Sequence, residues 1–301
     1  MNSYLSNNHP KLNLKIVLGD IRDEAKVDHV FSAYKPDIVF HAAAYKHVPI
    51  LEYEVREAML NNIYGTKILA EKADKYECKK FIFISTDKAV NPSNILGKSK
   101  RIAELYCAGI NRLSETQFVT VRFGNVLGSD GSVVPLFRKQ IENGGPVTVT
   151  DPDITRYFMT IEEACQLIMQ AGAMGEGGGI YVLDMGEPVK IAYLAEQMIR
   201  LSGLVPDKDI KIEYMGLRPG EKLYEELFYD CEKLEETIHK KIFLANQSKH
   251  NWDEMKEFLS KLKHECDEFR EDEIRKILDE YMEESMKEAN SNNNLVNFIQ
   301  K

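Results

Sequence analysis

Side chains that can exchange or hold protons stand together directly after an apolar run at residues 81–84. They are a hydroxyl, a carboxyl and an amine, and a second amine follows in the next helical pattern: Thr86, Asp87, Lys88 and Lys100. The apolar run has the length and composition of a buried strand. Ligands of open α/β sheets bind outside the carboxyl ends of the strands. The cluster therefore predicts an active site, the alternative being an ordinary ion pair in a turn.

The elements that must position this cluster alternate between strand and helix along residues 1–128. Four apolar runs predict strands, at residues 14–18, 37–43, 80–86 and 118–123. Three longer patterns between them predict helices, at residues 24–34, 55–76 and 94–113. Short strands separated by helices of more than about ten residues are typical of βαβ units and a parallel sheet. The sequence thus predicts an α/β fold.

The pattern changes twice along the rest of the chain. After Gly128 it loosens, with helices predicted at residues 134–142, 161–173 and 191–201 and strands at 147–150, 180–184 and 210–214. Near residue 247 it becomes amphipathic, which predicts helices at residues 252–262 and 273–286. We expect the helical tail to pack on the body as a solvated appendage, the alternative being a module that binds a partner.

Composition narrows the class of protein. The chain has 301 residues, 44% of them hydrophobic, which is enough for one large domain or two smaller ones. Its net charge of −9 and pI near 5.4 argue against nucleic acid as the main partner. The five cysteines are scattered without C-x-x-C spacing, which predicts reduced thiols, no disulfide framework, no metal site and a cytoplasmic location. No apolar run approaches the ~18–20 residues that span a bilayer.

The cluster is part of a longer pattern that resembles the extended short-chain dehydrogenase/reductase superfamily. It is most similar to the UDP-N-acetylglucosamine 4,6-dehydratases of the CapD-like or WbpM-like polysaccharide biosynthesis family. The matching blocks are residues 41–49, 85–100, 121–128, 150–160 and 216–227. The resemblance implies a Rossmann-like doubly wound parallel sheet, a smaller α/β substrate lobe, NAD as cofactor, a UDP-sugar as substrate and a homo-oligomer. Full-length relatives of this kind can be membrane-anchored.

The chain lacks the glycine-rich turn that this resemblance implies. In a dinucleotide-binding fold, backbone amides of that turn hold the pyrophosphate between the first strand and the first helix. The first two glycines are Gly19 and Gly65, and the run at residues 175–179 leads from a helix into a strand, which is the reverse order. We therefore expect a truncated chain whose sheet lacks its first two strands and which binds NAD weakly.

Three parts follow from this comparison with the family. They are a partial dinucleotide-binding domain, a substrate-binding lobe interleaved with it and the helical tail, at residues 1–128, 129–246 and 247–301.

The resemblance assigns catalytic roles to the cluster. A 4,6-dehydration moves a hydride from C4 of the sugar to NAD and back to C6, removes the C5 proton and protonates the departing C6 hydroxyl. Asp87 would be the acid, and Lys88, with a pKa lowered by burial, the base. Thr86 would hydrogen-bond the C4 oxygen. Lys100 would lie beside the nicotinamide ribose and favour loss of the C4 hydroxyl proton.

Leu96 departs from the family pattern, which has Met or Tyr four positions before the helix lysine. Tyr would be the base for oxidation at C4, whereas neither Met nor Leu can take a proton. Three interpretations stay open: another base or solvent replaces Tyr, activity is lost, or Leu96 only packs one turn before Lys100.

The resemblance also implies two sets of binding residues. The cofactor set is Asp20, Ile21, His41, Ala42, Ala43 and Lys100. The substrate set is Lys46, Asn125, Arg156, Arg218 and Glu221. The first two cofactor residues would contact adenine, and small residues after His41 would let the backbone approach the cofactor. The two arginines would bind the pyrophosphate as bidentate, permanently charged donors, and Glu221 would accept the uridine ribose hydroxyls.

Two further polar residues have open roles. His47 either contacts the substrate or is structural. Asn62 lies in a helical pattern, where Asn is a poor helix former, and we expect it to support the active site structurally.

Three functions remain after this reading. The first is a 4,6-dehydratase that converts UDP-N-acetylglucosamine to a 4-keto-6-deoxy sugar nucleotide for polysaccharide or glycan biosynthesis. The second is a nucleotide-sugar 4-epimerase, which needs only oxidation at C4 and has no use for an acid–base pair beside Thr86. The third is a non-catalytic remnant or a nucleotide-sugar-binding subunit, which Leu96 and the missing glycine-rich turn favour.

Overall fold

The computed structural model describes residues 11–229, 232–245 and 251–299, with side chains as far as residue 285. Its helices, in chain order, are α1 (Glu24–Tyr34), α2 (Val48–Leu51), α3 (Val55–Ala58), α4 (Gly65–Lys75), α5 (Ile95–Asn111), α6 (Val133–Glu142), α7 (Ile161–Met174), α8 (Ile191–Leu201), α9 (Trp252–Asp267) and α10 (Glu271–Ile299). Its strands are β1 (Ile38–His41), β2 (Lys80–Ile84), β3 (Gln117–Arg122), β4 (Asn125–Val126), β5 (Val147–Val149), β6 (Thr155–Arg156), β7 (Phe158–Met159), β8 (Ile180–Leu183), β9 (Val189–Lys190), β10 (Ile212–Tyr214), β11 (Leu234–Glu236) and β12 (Ile242–Ala245).

A six-stranded sheet carries the fold. Its order is β1-β2-β3-β8-β12-β11. The first four strands are parallel to one another, β12 is antiparallel to β8, and β11 is antiparallel to β12. His41 pairs with Phe83 and Phe83 with Thr120, so β1, β2 and β3 end at one edge of the sheet. The predicted Rossmann-like α/β fold is confirmed, and the loops after these strands meet where ligands of such sheets bind.

Both faces of the sheet are covered, which explains why β2 is a continuous apolar run. Phe81 and Phe83 pack into the core formed with α4 and α5, whereas Ile82 points to the opposite core, which includes α7. A separate apolar cluster joins α6, α8 and β5. The alternation along β2 therefore fixes one strand between two helical layers.

The strand predicted at residues 14–18 is wrong. Residues 12–20 have no regular secondary structure, and Leu18 is 93% exposed. No described strand pairs with this segment, and β-propensity depends on cross-strand neighbours rather than on the backbone alone. Among the described strands, β1 therefore forms the edge of the sheet.

The long helix predicted at residues 55–76 is divided into three parts. α3 and α4 are joined by a π-helix, Met59–Tyr64. Within it, the carbonyl of Asn62 accepts a 2.7 Å hydrogen bond from the Thr66 hydroxyl. Single turns of π-helix inside α-helices frequently mark functional sites, and this one turns Asn62 toward the loop after β1.

The described part of the tail packs on the body, as predicted. Leu259, Leu262 and Leu278 join the core that contains β2. The Trp252 ring lies 5.2 Å from the Tyr106 ring. The tail is therefore part of the main core rather than a detached module.

Two searches of the described residues are negative. No helix there is both long and apolar enough to cross a membrane, and no group of three or more His, Cys, Asp or Glu side chains could hold a metal ion.

Candidate active site

The backbone after β2 places the predicted cluster, residues 86–88, at the sheet edge. Ser85 and Asp87 continue the hydrogen-bond ladder beyond the strand, donating to Val121 at 2.7 Å and Phe123 at 3.0 Å. Thr86 then caps a short 3₁₀ helix, Asp87–Ala89. The turn is thus tied to the segment that follows β3, which fixes the directions of the next two side chains.

Asp87 and Lys88 form an ion pair between a buried carboxylate and a half-buried amine. The Asp87 Oδ1 atom accepts hydrogen bonds from the Thr86 hydroxyl at 2.8 Å and from Lys88 Nζ at 3.0 Å. Lys88 Nζ also donates to Asn125 Oδ1 at 3.3 Å. Asp87 is completely buried, and its Oδ2 atom has no hydrogen-bond partner among the described residues. A Cβ at Gly124 would lie 3.2 Å from that oxygen, so glycine keeps the space beside it open.

The pKa of Lys88 moves in the opposite direction from the one predicted. Burial alone would lower the pKa of this amine, but the carboxylates of Asp87 and Glu225 outweigh burial and raise it. Glu225 Oε1 lies 3.6 Å from Lys88 Nζ. The prediction of a lowered pKa is therefore wrong, because it considered burial without the attraction of the carboxylates, of which Asp87 contributes more than Glu225.

A cavity of about 450 Å³ adjoins the carboxyl ends of β2 and β3. Of the predicted site residues, nine line it: Ala42, Lys46, Thr86, Lys88, Lys100, Asn125, Arg156, Arg218 and Glu221. Five are not part of its lining: Asp20, Ile21, His41, Ala43 and Asp87. Asp87 contacts the cavity residues Thr86 and Lys88 through its Oδ1 atom. A larger groove of about 690 Å³ between α9 and α10 contains none of the predicted residues.

Lys100 is held against the end of β2. Its Nζ atom donates to the Ile84 carbonyl at 2.8 Å and lies 4.5 Å from the centre of the Phe83 ring. Burial lowers the pKa of this amine to about 8, so both of its protonation states are accessible near neutral pH. Leu96, one turn earlier, is buried and lines the same cavity.

His41 serves the core through its side chain. Its Nε2 atom lies 2.8 Å from the Thr66 hydroxyl, and its ring packs against Phe81 and Phe83. Burial, with a smaller contribution from Lys100, lowers the pKa of His41 to about 3, so the imidazole is neutral at physiological pH. Only the backbone at this position is available to a cofactor.

Asn62 holds the loop that carries the first residues of the substrate set. Its side chain accepts from the backbone N–H of Tyr45 at 2.8 Å and donates to the Tyr45 carbonyl at 2.9 Å and to Ser99 at 3.1 Å. These contacts confirm the expected structural role. His47, further along the loop, packs on Gly131, where a Cβ would lie 2.4 Å from the ring.

The two arginines of the substrate set differ in their surroundings. Arg156 is buried, and its guanidinium donates to the carbonyls of Thr155 at 2.7 Å and Lys222 at 2.8 Å. Arg218 is exposed, and its backbone N–H donates to Glu221 at 3.2 Å. Arg156 therefore ties β6 to residues 222–223, whereas the Arg218 side chain faces solvent.

Asp20 and Ile21 have structural partners of their own. Asp20 pairs with Arg22 at 2.8 Å, which lowers the pKa of the carboxyl. Ile21 packs on Gly65, where a Cβ would lie 2.5 Å from the Ile21 side chain. Their predicted contact with adenine stays a prediction.

Two groups of buried charges escaped the sequence analysis. Glu225 lies beside Lys88, although its neighbour Glu226 is the same residue type, and nothing in the sequence tells which of the two is buried. Arg122 binds Glu104 and Glu232, both at 2.8 Å. These contacts join residues 18 and 110 positions apart, so no local pattern could have indicated them.

Sequence comparisons place the chain among proteins of polysaccharide biosynthesis. The family model described as "Polysaccharide biosynthesis protein" matches residues 1–247. The chain is 56% identical over 228 residues to the capsular polysaccharide biosynthesis protein CapD of Staphylococcus aureus. The aligned region covers 75% of this chain and 38% of CapD. It is 51% identical over 242 residues to the probable polysaccharide biosynthesis protein EpsC of Bacillus subtilis. That alignment covers 80% of this chain and 40% of EpsC. The chain thus spans about two fifths of these relatives' length.

A third relative is named for a specific reaction. The UDP-glucose 4-epimerase of Rickettsia canadensis is 38% identical over 222 residues, which cover 73% of this chain and 62% of that protein.

Solved structures agree on the fold. The X-ray structure of Pen from Bacillus thuringiensis is 36% identical, with a TM-score of 0.73 over 81% of this chain and 75% of that one. The dTDP-glucose 4,6-dehydratase DesIV of Streptomyces venezuelae, solved with NAD and TYD bound, has a TM-score of 0.67 over 76% and 75% of the two chains. DesIV is only 20% identical, so that likeness concerns the fold alone.

Proposed function

The chain belongs to the polysaccharide biosynthesis protein family, and we propose that it is a nucleotide-sugar 4,6-dehydratase acting on UDP-N-acetylglucosamine. One observation carries the proposal: Asp87 and Lys88 share a 3.0 Å hydrogen bond beside a cavity that Thr86 also lines. An adjacent acid and base are what elimination of water across C5 and C6 requires, whereas oxidation at C4 alone requires only an acceptor for the hydroxyl proton.

The reaction begins with a proton transfer inside this pair. Lys88 carries its charge at neutral pH, because its pKa is raised. Movement of one proton from Lys88 Nζ to Asp87 Oδ1 along their hydrogen bond gives a neutral amine and a carboxylic acid. The amine then takes the C5 proton, and Asp87 protonates the C6 hydroxyl as the C6–O bond breaks and water leaves. The two groups end this step as an ion pair again. When hydride returns to C6, Lys88 gives a proton back to C5, and solvent reprotonates the amine with the equivalent of the proton that left the C4 hydroxyl.

NAD would supply the redox chemistry, accepting the C4 hydride and returning it to C6. The residues present fit its nicotinamide end: Ala42 and Ala44 add only methyl groups to the cavity wall, and Lys100 lines the same cavity at the end of β2. The sequence has no G-x-G-x-x-G turn for the pyrophosphate. We therefore expect weak NAD binding by these 301 residues, which isothermal titration would measure.

Oxidation at C4 also needs an acceptor for the hydroxyl proton. Leu96 cannot be that acceptor, whereas Lys100, with a pKa lowered to about 8, is partly neutral at physiological pH. We assign the step to Lys100, with Thr86 as hydrogen-bond partner of the C4 oxygen.

The substrate set would bind the nucleotide part. Arg218, exposed and beside the cavity, supplies a guanidinium for the pyrophosphate, and Arg156 and Asn125 lie deeper in the same cavity. Glu221 would accept the ribose hydroxyls, and Lys46 would add positive charge from the loop after β1. A homo-oligomer and a cytoplasmic location stay predictions.

The 4-epimerase is the second candidate, because a relative named for that activity is 38% identical. The two reactions differ in their products. We expect the protein, incubated with UDP-N-acetylglucosamine and millimolar NAD in deuterated water, to give a 4-keto-6-deoxy sugar nucleotide with deuterium at C5, detected by NMR. An epimerised sugar of unchanged mass would favour the epimerase. Binding of the UDP-sugar without formation of any product would favour a non-catalytic, nucleotide-sugar-binding protein.

A further inference from the structure

Glu225 is a buried carboxylate with no part in the mechanism above. It is 7% exposed, and its Oε1 atom lies 3.6 Å from Lys88 Nζ and 3.8 Å from Arg156 Nε. Its Oε2 atom is buried without a hydrogen-bond partner among the described residues. A buried carboxylate oxygen without a partner costs free energy of folding. Fold stability alone would therefore not favour glutamate at this position.

The charges around Glu225 come from three parts of the molecule. Lys88 and Asp87 face it from the 3₁₀ turn, Arg156 faces it from β6, and Lys222 belongs to the same loop. The Lys88 amine is consequently surrounded by three oxygens: Asp87 Oδ1 at 3.0 Å, Asn125 Oδ1 at 3.3 Å and Glu225 Oε1 at 3.6 Å. Asp87 and Asn125 accept hydrogen bonds from the ammonium, and Glu225 adds the attraction of an opposite charge, so these oxygens together fix the position of Nζ.

We propose that Glu225 is a positioning residue for Lys88, whose buried carboxylate holds the amine at the cavity and sets how tightly it binds its proton. When the proton moves to Asp87, the hydrogen bond to Asn125 keeps the neutral amine in place while its lone pair becomes available. The catalytic consequence rests on the proposed function of Lys88 as base. The effect on its protonation does not, and can be measured without turnover.

The test is the titration of Lys88 in Glu225→Gln. The protein is pulsed with an acetylating reagent at a series of pH values, and acetylation of Lys88 is quantified by peptide mass spectrometry. Opposite charges within about 4–6 Å raise an amine's pKa by roughly one unit or more. Removing the Glu225 charge should therefore shift the Lys88 profile to lower pH and raise the neutral fraction about tenfold at a fixed pH.

Glu226→Gln is the matched control. Glu226 is the next residue, is exposed, and pairs with Lys222 at 3.0 Å and with Asn91 at 2.9 Å. We expect its Lys88 profile to match that of the wild type. Glu225→Asp keeps the charge and should restore most of the wild-type profile. Equal profiles in Glu225→Gln and Glu226→Gln would overturn the proposal.

Two more readouts separate this inference from the proposed function. In wild type, Lys88 should acetylate half-maximally only above the ordinary lysine value of about 10.4; a midpoint below about 9 contradicts the inference even if Glu225→Gln does not fold. During turnover, the rising limb of C5 deuterium exchange should move to lower pH in Glu225→Gln. If the Lys88 titration shifts in Glu225→Gln but the protein shows no turnover, the inference stands and the dehydratase is rejected. If the protein turns over but the Lys88 titration does not shift, the dehydratase stands and the inference is rejected.

Discussion

The molecule contains two clusters of buried charged side chains that differ in how completely their carboxylate oxygens are hydrogen-bonded. The structural cluster, which is Arg122, Glu104, Glu232 and Arg101, lies under the sheet edge. Every carboxylate oxygen in it accepts at least one hydrogen bond. The site cluster, which is Asp87, Lys88, Glu225 and Arg156, adjoins the cavity. It leaves one oxygen of each of its two carboxylates without a partner among the described residues.

The difference in hydrogen bonding indicates that the structural cluster stabilises the fold, whereas the site cluster is arranged for chemistry. A fully bonded buried network adds rigidity, whereas a partly bonded one is costly in free energy and persists where function requires it. Arg122 joins β3 to Glu232, whose carboxylate also accepts from the backbone N–H of Tyr229. Lys88 lines the cavity, and Asp87, hydrogen-bonded to it, keeps a carboxylate oxygen without a partner among the described residues. Variants in the two clusters should therefore affect different properties.

The largest expected effect is on catalysis in the site cluster. With saturating NAD, Lys88→Ala should lower C5 deuterium exchange by about 10²–10⁴-fold, because only the base contacts the C5 proton. Lys46→Ala, a cavity lysine outside the cluster, should raise KM and leave exchange at saturation nearly unchanged. Exchange close to the wild-type rate in Lys88→Ala would remove the base assignment and favour the epimerase.

The next effect is on stability in the structural cluster. Arg122→Met leaves Glu104 and Glu232 buried without their main partner, which typically costs about 3–5 kcal/mol of the free energy of unfolding. Urea denaturation measures this change. Arg138→Met, which removes an exposed arginine from α6, should cost less than about 0.5 kcal/mol. Equal losses in the two variants would contradict the structural role.

Lys100 should make stability depend on pH in a defined direction. Its pKa is lowered by burial from 10.5 to about 8 in the folded state, so between these values the unfolded state binds more protons. The free energy of unfolding should therefore rise with pH in this window, by up to about 3 kcal/mol relative to Lys100→Met. Denaturant titrations at pH 7.5 and 10 check this, with Lys46→Met following the wild type. A constant difference between wild type and Lys100→Met would rule out the lowered pKa.

The smallest effect is expected at Leu96. Leu96→Met exchanges two side chains of similar volume, neither of which transfers protons, so stability should change by less than about 1.5 kcal/mol. The rate of C4 oxidation, followed by NADH absorbance in a single turnover, should be unchanged or slightly higher. A large loss of rate would show that the shape of Leu96, rather than Lys100, limits this step.

The sequence predicted local features well and long-range ones poorly. The cluster at residues 86–88 was recognisable because it directly follows the apolar run of β2, and α8 has the bounds that its periodicity predicted. Residues 14–18 have the composition of a strand, but a strand also needs a neighbour to pair with. The Lys88 pKa was predicted in the wrong direction because burial was considered without the attraction of the adjacent Asp87, and because Glu225, 137 positions away, approaches Lys88 only in the fold.

The most direct test of the comparison is Asp87→Asn, measured for both stability and activity. Asn keeps the shape of Asp and an oxygen that can accept from Lys88, Lys88 keeps Glu225 at 3.6 Å, and an uncharged amide nitrogen takes the place of the unpartnered carboxylate oxygen. We therefore expect a stability loss below that of Arg122→Met, about 1–3 kcal/mol. Loss of the C6 hydroxyl should slow by about 10²-fold or more, and more than oxidation at C4. A stability loss equal to that of Arg122→Met, with dehydration retained, would contradict the account.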